Sequence, residues 1–350
     1  MIPVQTRLRQ AILSGLYHTR SYRLLEPRTR GVGAIFTLHH VRPARPQSGF
    51  SPNRILEITP DFLIETIKLC QRTGHEFVSL DEARRRLLEG AEGPPFVSFT
   101  LDDGYADNYL HAFPIFREHG VPFTIYLCPG LMEERTRHWW LDLEDIVAAN
   151  DLVEVEIDGV PHGYRCATDA EKRRSFETVY WALRRTPHEG QMESLARLTE
   201  RYLPGPVTRP PMLSGEMVDE MRGSGLFTPG AHTMTHPALA KLGPEAMRAE
   251  MDRSREWVRE RYGEIPRHVA YPYGDMGSAA KREFEAAREL GFDTGVTTRK
   301  GVLYPEHGDH LQALPRISLN GDYQKAHYVE LFLTGVAFWL QPGLPRLNVS

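Results

Sequence analysis

Cysteine is scarce in this chain. Its 350 residues include three, Cys70, Cys128 and Cys166, which are far apart and form no Cys-x-x-Cys pair. An odd, scattered set argues against a disulfide framework or a thiolate metal centre and fits a reducing compartment. Long apolar runs are missing as well. The longest late one, Val329 to Leu340, contains Glu330 and falls short of the roughly 20 residues that span a bilayer. The first ten residues have neither the apolar run nor the small-residue cleavage site of a secretory signal. The expected location is therefore the cytoplasm. Charge of one sign is also lacking: 42 Lys and Arg against 46 Asp and Glu leave a formal net charge of −4. That provides no basic field for a nucleic-acid partner. The exception is the arginine-rich first 30 residues, a basic amphipathic start that leaves peripheral membrane attachment open. Long internal repeats and low-complexity segments are absent too.

What is present is ordinary globular material, 41% hydrophobic and 25% charged, in a length that suits one large α/β domain or two smaller ones. Short apolar strands alternate with amphipathic helices. Strands are expected at Gly33–His39, Phe96–Leu101, Pro122–Leu127, Phe227–Ala231, His268–Tyr271, Thr294–Thr298 and Leu314–Ile317. Helices are expected from Thr59-Pro60-Asp61 to Cys70 and over Leu80–Leu88, His111–His119, Pro244–Tyr262 and Ser278–Leu290. Such alternation predicts parallel β/α units. Between about 132 and 213 the rhythm changes to a helix, a hairpin turning at Asp158-Gly159, and two polar helices with a Pro-rich exit. This segment reads as an insertion into the repeating domain. Residues 1–30 read as a helical, basic extension and 31–350 as the main domain.

Three strand ends bear unusual chemistry. Thr100-Leu101-Asp102-Asp103-Gly104-Tyr105 closes a strand with adjacent carboxylates. His232-Thr-Met-Thr-His236-Pro237 follows a second strand, with a spacing that puts two imidazoles on one side of a helical turn. Tyr271-Pro272-Tyr273-Gly274 closes a third. Each alone has a bland explanation, a turn or a chance His pair. Together they provide two imidazoles, one carboxylate ligand and a second carboxylate as base, the set that hydrolytic metal sites use.

These three motifs resemble the first three motifs of the polysaccharide deacetylase family (the NodB-homology domain, carbohydrate esterase family 4), over roughly residues 31–130 and 214–320. The resemblance implies a distorted (β/α) barrel, to which the segment at about 132–213 adds a mainly helical insertion. It also implies one divalent metal, usually zinc, with nickel, cobalt or iron as alternatives. By the same resemblance Asp103, His232 and His236 fall at the metal ligands and Asp102 at the general base. Tyr105 falls where a backbone N–H helps hold the oxyanion. Tyr271, Pro272 and Tyr273, again following a strand, are a candidate wall of the same cleft. The implied reaction is hydrolysis of N-acetyl groups on an amino sugar of a polysaccharide, glycolipid or glycan precursor.

Two positions depart from the family. The third motif usually has Arg two residues before its Pro, where this chain has Ala270. The last motif is usually Leu-x-His, where this chain reads Leu314-Pro315-Arg316. Arg316 is the expected substitute for the missing arginine. His39 is the preferred proton donor, with His307 and His310 as rivals. Trp139, at the start of the insertion, is a candidate sugar platform. Two other readings stay open: a C–N hydrolase acting on a small amide or cyclic ureide, and a non-catalytic glycan-binding protein that retains the metal.

Overall fold

The computed structural model describes residues 4–45, 49–90, 93–157 and 159–349. Asp158, expected at the hairpin turn, and the first three residues of the basic extension lie outside them. Residue contacts divide the chain into two compact units, one built from 45–55 and 134–210, the other from 2–44, 56–133 and 211–350.

Seven strands of the larger unit form its central sheet: β1 (Gly33–Leu38), β2 (Phe96–Leu101), β3 (Phe123–Leu127), β4 (Phe227–Ala231), β5 (His268–Ala270), β6 (Thr294–Lys300) and β7 (Leu314–Ser318). Each pairs in parallel with the next. The circle closes through β7 on β1 and β1 on β2. The result is a closed seven-stranded parallel barrel with surrounding helices, as the strand–helix rhythm predicts. A short strand, Glu76–Phe77, adds to β2 from outside.

Every residue of β1, β2 and β3 is buried, because a barrel strand is covered by helices on one face and by the lumen on the other. Side chains alternate between these faces. Val97, Phe99 and Leu101 of β2 pack outward in a cluster with Leu63 and Ile67 of the helix Pro60–Arg72. Ile35, Phe96, Tyr126, Ala270, Val296 and Leu314 meet in the lumen. That parity also turns Thr37, Thr100, Asp102, His232 and Arg316 inward. Gly230 is dictated by this crowding: a Cβ there would lie 2.4 Å from the Tyr126 ring.

The smaller unit is a helix (Trp139–Ala149), an antiparallel hairpin (Leu152–Ile157 with Val160–Arg165) and two helices, Asp169–Arg185 and His188–Tyr202. A capping box at Thr168 and Glu171 starts the first of the two. Cys70, Cys128 and Cys166 are buried free thiols, and burial pushes Cys70 up to about 12. Among the described residues, no helix is long and apolar enough to cross a membrane.

Candidate metal centre and its neighbours

The chain leaves β2 through Asp102 and turns at once. Asp103 has φ 76°, the left-handed region, so the two carboxylates are not successive side chains of an extended strand. They diverge at a tight turn. Nor is the His232–His236 loop helical. Thr233 and His236 are left-handed, with φ 60° each, and this reversal, rather than helical spacing, brings the imidazoles together. Tyr273 has φ 63°. Four of the six left-handed non-glycine residues among the described ones thus lie in three neighbouring loops. Such backbone costs on the order of 1–3 kcal/mol per residue and collects where function demands a geometry.

The outcome is convergence. Asp103 Oδ1 lies 3.3 Å from His232 Nε2 and 3.3 Å from His236 Nε2. All three side chains are buried, and one ligand atom from each falls within a 4.8 Å span. Asp103 Oδ1 receives no hydrogen bond among the described residues, although a buried carboxylate oxygen needs a partner. Two ligands at zinc-like bond lengths of roughly 2.0–2.1 Å and a tetrahedral angle stand roughly 3.3 Å apart. The donor set therefore fits a shared cation better than hydrogen bonding. His232 Nδ1 lies 2.8 Å from the Ala270 carbonyl. Donation to that carbonyl presents the Nε2 lone pair to the ligand cluster. Burial opposes ionisation of Asp103, yet the two facing imidazoles hold its carboxyl well below the usual range.

Asp102 is not free. Arg316 Nη1 donates to Oδ1 and Nη2 to Oδ2, both at 2.7 Å. Both side chains are buried. The guanidinium also donates from Nε to the Thr297 carbonyl (2.9 Å) and from Nη1 to Thr100 Oγ1 (3.1 Å). Its underside rests over the Tyr126 ring at 5.8 Å. Burial raises the Asp102 carboxyl, but the charge and hydrogen bonds of Arg316 outweigh it and hold the group below its ordinary value. Ala270 faces the same lumen from β5. Arg316 thus reaches Asp102 from β7, across the barrel from Ala270. Thr37 Oγ1 adds a long contact to Asp102 Oδ2 at 3.4 Å.

His39 follows β1 and places Nε2 3.9 Å from Asp102 Oδ2, with 21% of its side chain exposed. His307 and His310 lie in the 305–313 segment that enters β7 from the opposite end of the barrel, so the structure does not bring them to this cluster. Tyr105 is wholly buried, and a bridge joins it to Met212. The bridge is made by the Ala106 N–H and the Gly104 carbonyl with Pro211 and Leu213, a pattern that directs the Tyr105 N–H away from that strand. The Tyr273 ring meets His236 edge-on at 4.9 Å.

Tyr271 does not reach the cluster with its side chain. It points outward onto Phe284, with its hydroxyl donating to the Gln312 carbonyl at 2.9 Å. Pro272 is buried, and its carbonyl accepts the Gly274 N–H in a tight turn. Trp139 is buried within the smaller unit and stacks on Tyr180 at 5.0 Å, the setting of a core aromatic rather than an open platform. Sequence reasoning missed the pair His40–Asp107, whose Nδ1 and Oδ2 lie 2.7 Å apart. The His40 ring packs 3.8 Å from the Tyr105 ring. It also missed Tyr126 beneath Arg316, for which the motifs held no signal.

The sequence profile of the polysaccharide deacetylase family matches residues 89–295. No curated protein sequence matches the chain at a significant level. Among solved structures, the Streptococcus pyogenes deacetylase PplD in complex with acetate is similar at 17% identity and TM-score 0.56, over 85% of this chain and 97% of that one. IcaB from Ammonifex degensii is similar at 20% identity and TM-score 0.55, over 87% and 97%. BC0361, a polysaccharide deacetylase from Bacillus cereus, is similar at 15% identity and TM-score 0.52, over 86% and 68%. At these identities the likeness establishes the shared barrel fold.

Proposed function

Because the chain belongs to the polysaccharide deacetylase family, we propose that it is a metal-dependent N-deacetylase acting on an amino sugar of a glycan or glycan precursor. One observation supports this most directly. Adjacent aspartates have opposite surroundings, Asp102 gripped by a cation and Asp103 facing two imidazole nitrogens. That division suits one base and one ligand.

Asp103, His232 and His236 would hold the metal. A divalent ion there supplies Lewis acidity, polarising an amide carbonyl and making water a better nucleophile near neutral pH. Asp102, kept ionised by Arg316, accepts the proton that water loses on attack. The Tyr105 N–H donates to the oxygen that becomes negative. His39 delivers a proton to the departing sugar nitrogen, so acetate and a free amine result.

The test is acetate release from a panel of N-acetylated glycans, run beside ammonia release from small amides and ring opening of cyclic ureides. Acetate from the glycans, lost after chelation and restored by one divalent metal, is the expected result. Ammonia release or ring opening alone would replace this reading with that of a small-amide or ureide hydrolase. Tight glycan binding without acetate would favour a non-catalytic role.

A further inference from the structure

The helix Val4–His18 packs Leu13, Leu16 and Tyr17 against the core, and it carries a second apolar stripe on its outer side. Leu8 and Ile12, four residues apart, are 63% and 54% exposed, and the exposed Ala11 and Gly15 complete the stripe between and beyond them. An ordinary surface helix turns its apolar stripe to the core and its charges to water. Here Arg7 and Arg9 flank an outward apolar stripe, and the helix contains no acidic residue. Its inner side is fixed by the buried Leu13 and by Gln10, whose side-chain amide donates to the Asp322 carbonyl at 2.6 Å. The exposure is thus a property of a docked helix.

Beside the stripe lies a cavity of about 240 Å³. Ile12 and Leu16 line it from this helix, and Phe332, Phe338 and Leu340 from the C-terminal segment. Arg9 and Lys300 are its charged lining groups, and among the described residues no carboxylate lines it. Trp339 and Leu340, 59% and 42% exposed, extend the apolar surface beyond the cavity. Ile317 and Ser318 also line it. They end β7, the strand that delivers Arg316, so this face lies towards the barrel end that holds Asp102.

We infer that this face is a docking surface for a bilayer bearing anionic headgroups. Leu8, Ile12, Trp339 and Leu340 enter the acyl boundary, and Arg7, Arg9 and Lys300 meet the phosphates. Basic residues flanking an apolar stripe are the pattern of helices that lie in a membrane interface, and an indole is favoured at that depth. Charge complementarity is local. The chain as a whole is formally −4, so attraction to an anionic surface must come from this patch and not from net charge. Docking stands independently of the deacetylase reading. Delivery of the Asp102 end to a membrane-attached glycan rests on that reading.

Co-sedimentation of the full chain with phosphatidylcholine vesicles, with and without phosphatidylglycerol, tests the surface. Binding to the anionic vesicles should exceed binding to the neutral ones and weaken in 0.5 M salt. The exposed substitutions Leu8→Ser with Ile12→Ser, and separately Arg7→Glu, should each reduce partitioning at least about tenfold. Tryptophan emission should shift to the blue on vesicles, and Trp339→Phe should remove the shift. Absence of binding by the wild type would overturn the inference, as would binding indifferent to these substitutions. A dimer in solution that Leu8→Ser with Ile12→Ser dissociates would assign the face to a second copy instead. Acetate release is measured separately, so failure of docking and failure of catalysis are distinguishable.

Discussion

Arg316 holds both carboxylate oxygens of Asp102 at 2.7 Å, across 214 positions of chain. A buried pair of this kind is costly to desolvate and costlier to break, because removing one partner strands the other's charge. Its value here is positional. A bidentate fork fixes the carboxylate plane, and the fork is itself fixed by the Thr297 carbonyl, Thr100 and the Tyr126 ring. The family's usual arginine would come from β5 at Ala270. In this chain the fork comes from β7, at the position where the family usually has histidine.

Arg316→Ala should therefore destabilise the fold by about 3–5 kcal/mol and lower kcat by about 100-fold or more. Arg316→Lys should retain more stability than activity, since an ammonium cannot form the fork. The decisive variant is a swap. Ala270→Arg combined with Arg316→His returns the family arrangement and should recover activity relative to Arg316→His alone. No recovery, in a double variant that unfolds at the wild-type urea concentration, would show that the two arginine positions are not equivalent.

How much of this was legible beforehand follows from chain locality. The strand Phe96–Leu101 and its Asp-Asp-Gly ending are one continuous apolar run followed by turn residues, and the structure has the same bounds. The helix Pro244–Tyr262 also matches, starting with Pro at its first turn and closed by left-handed Gly263. The left-handed φ of Asp103, Thr233 and His236 was not legible, because residues that favour other backbone regions are held there by tertiary context. A helical turn was the local guess for His232–His236, and the barrel overrode it. The outward orientation of Tyr271 was available in principle. Ala270 faces the lumen, so strand parity sends its neighbour to the helices. The reach of Arg316 depends on space left at Ala270, a relation between residues 46 positions apart on different strands that no local pattern encodes.

Separating the two aspartates is the most direct check on their roles. Asp102→Asn should keep metal content near wild type by elemental analysis while kcat falls by about 1,000-fold or more. Asp103→Ala, His232→Ala and His236→Ala should each lose metal. Stripping metal with a chelator should lower the melting temperature, because an ion that binds only the native state adds about 2.7 kcal/mol at a hundredfold excess over Kd. Equal metal loss in Asp102→Asn would exchange the two assignments.

Acid should weaken the fold through histidines remote from the metal centre. Burial holds His75 and His307 down to about 4 from a usual value near 6.5. The unfolded chain takes up protons on both as pH falls below 6.5, while the native chain resists until about pH 4. Their contribution is complete above pH 6.5 and is lost as pH falls towards 4, on the order of 2 kcal/mol each by pH 4.5. His307→Asn keeps an acceptor for the Tyr304 N–H, now 2.9 Å from Nδ1. Combined with His75→Asn, it should flatten the urea midpoint between pH 7 and 4.5. An unchanged slope would assign the acid sensitivity to other groups.

The proton donor is the part of the proposed reaction with the least family precedent, since Arg316 occupies the position of the usual histidine. His39 is the imidazole beside Asp102 that retains solvent contact, at 3.9 Å and with 21% of its side chain exposed. Burial lowers its basicity, and Asp103 and Asp102 pull in the other direction. A proton donor matters in proportion to how poor the leaving group is. A sugar amine leaves only when protonated, whereas an aryl oxide departs unaided. His39→Gln should thus cut N-deacetylation by about 100-fold or more while largely sparing hydrolysis of 4-nitrophenyl acetate, with metal content unchanged. Equal losses on both substrates would mean that His39 positions Asp102 or substrate and that the amine's proton comes from elsewhere.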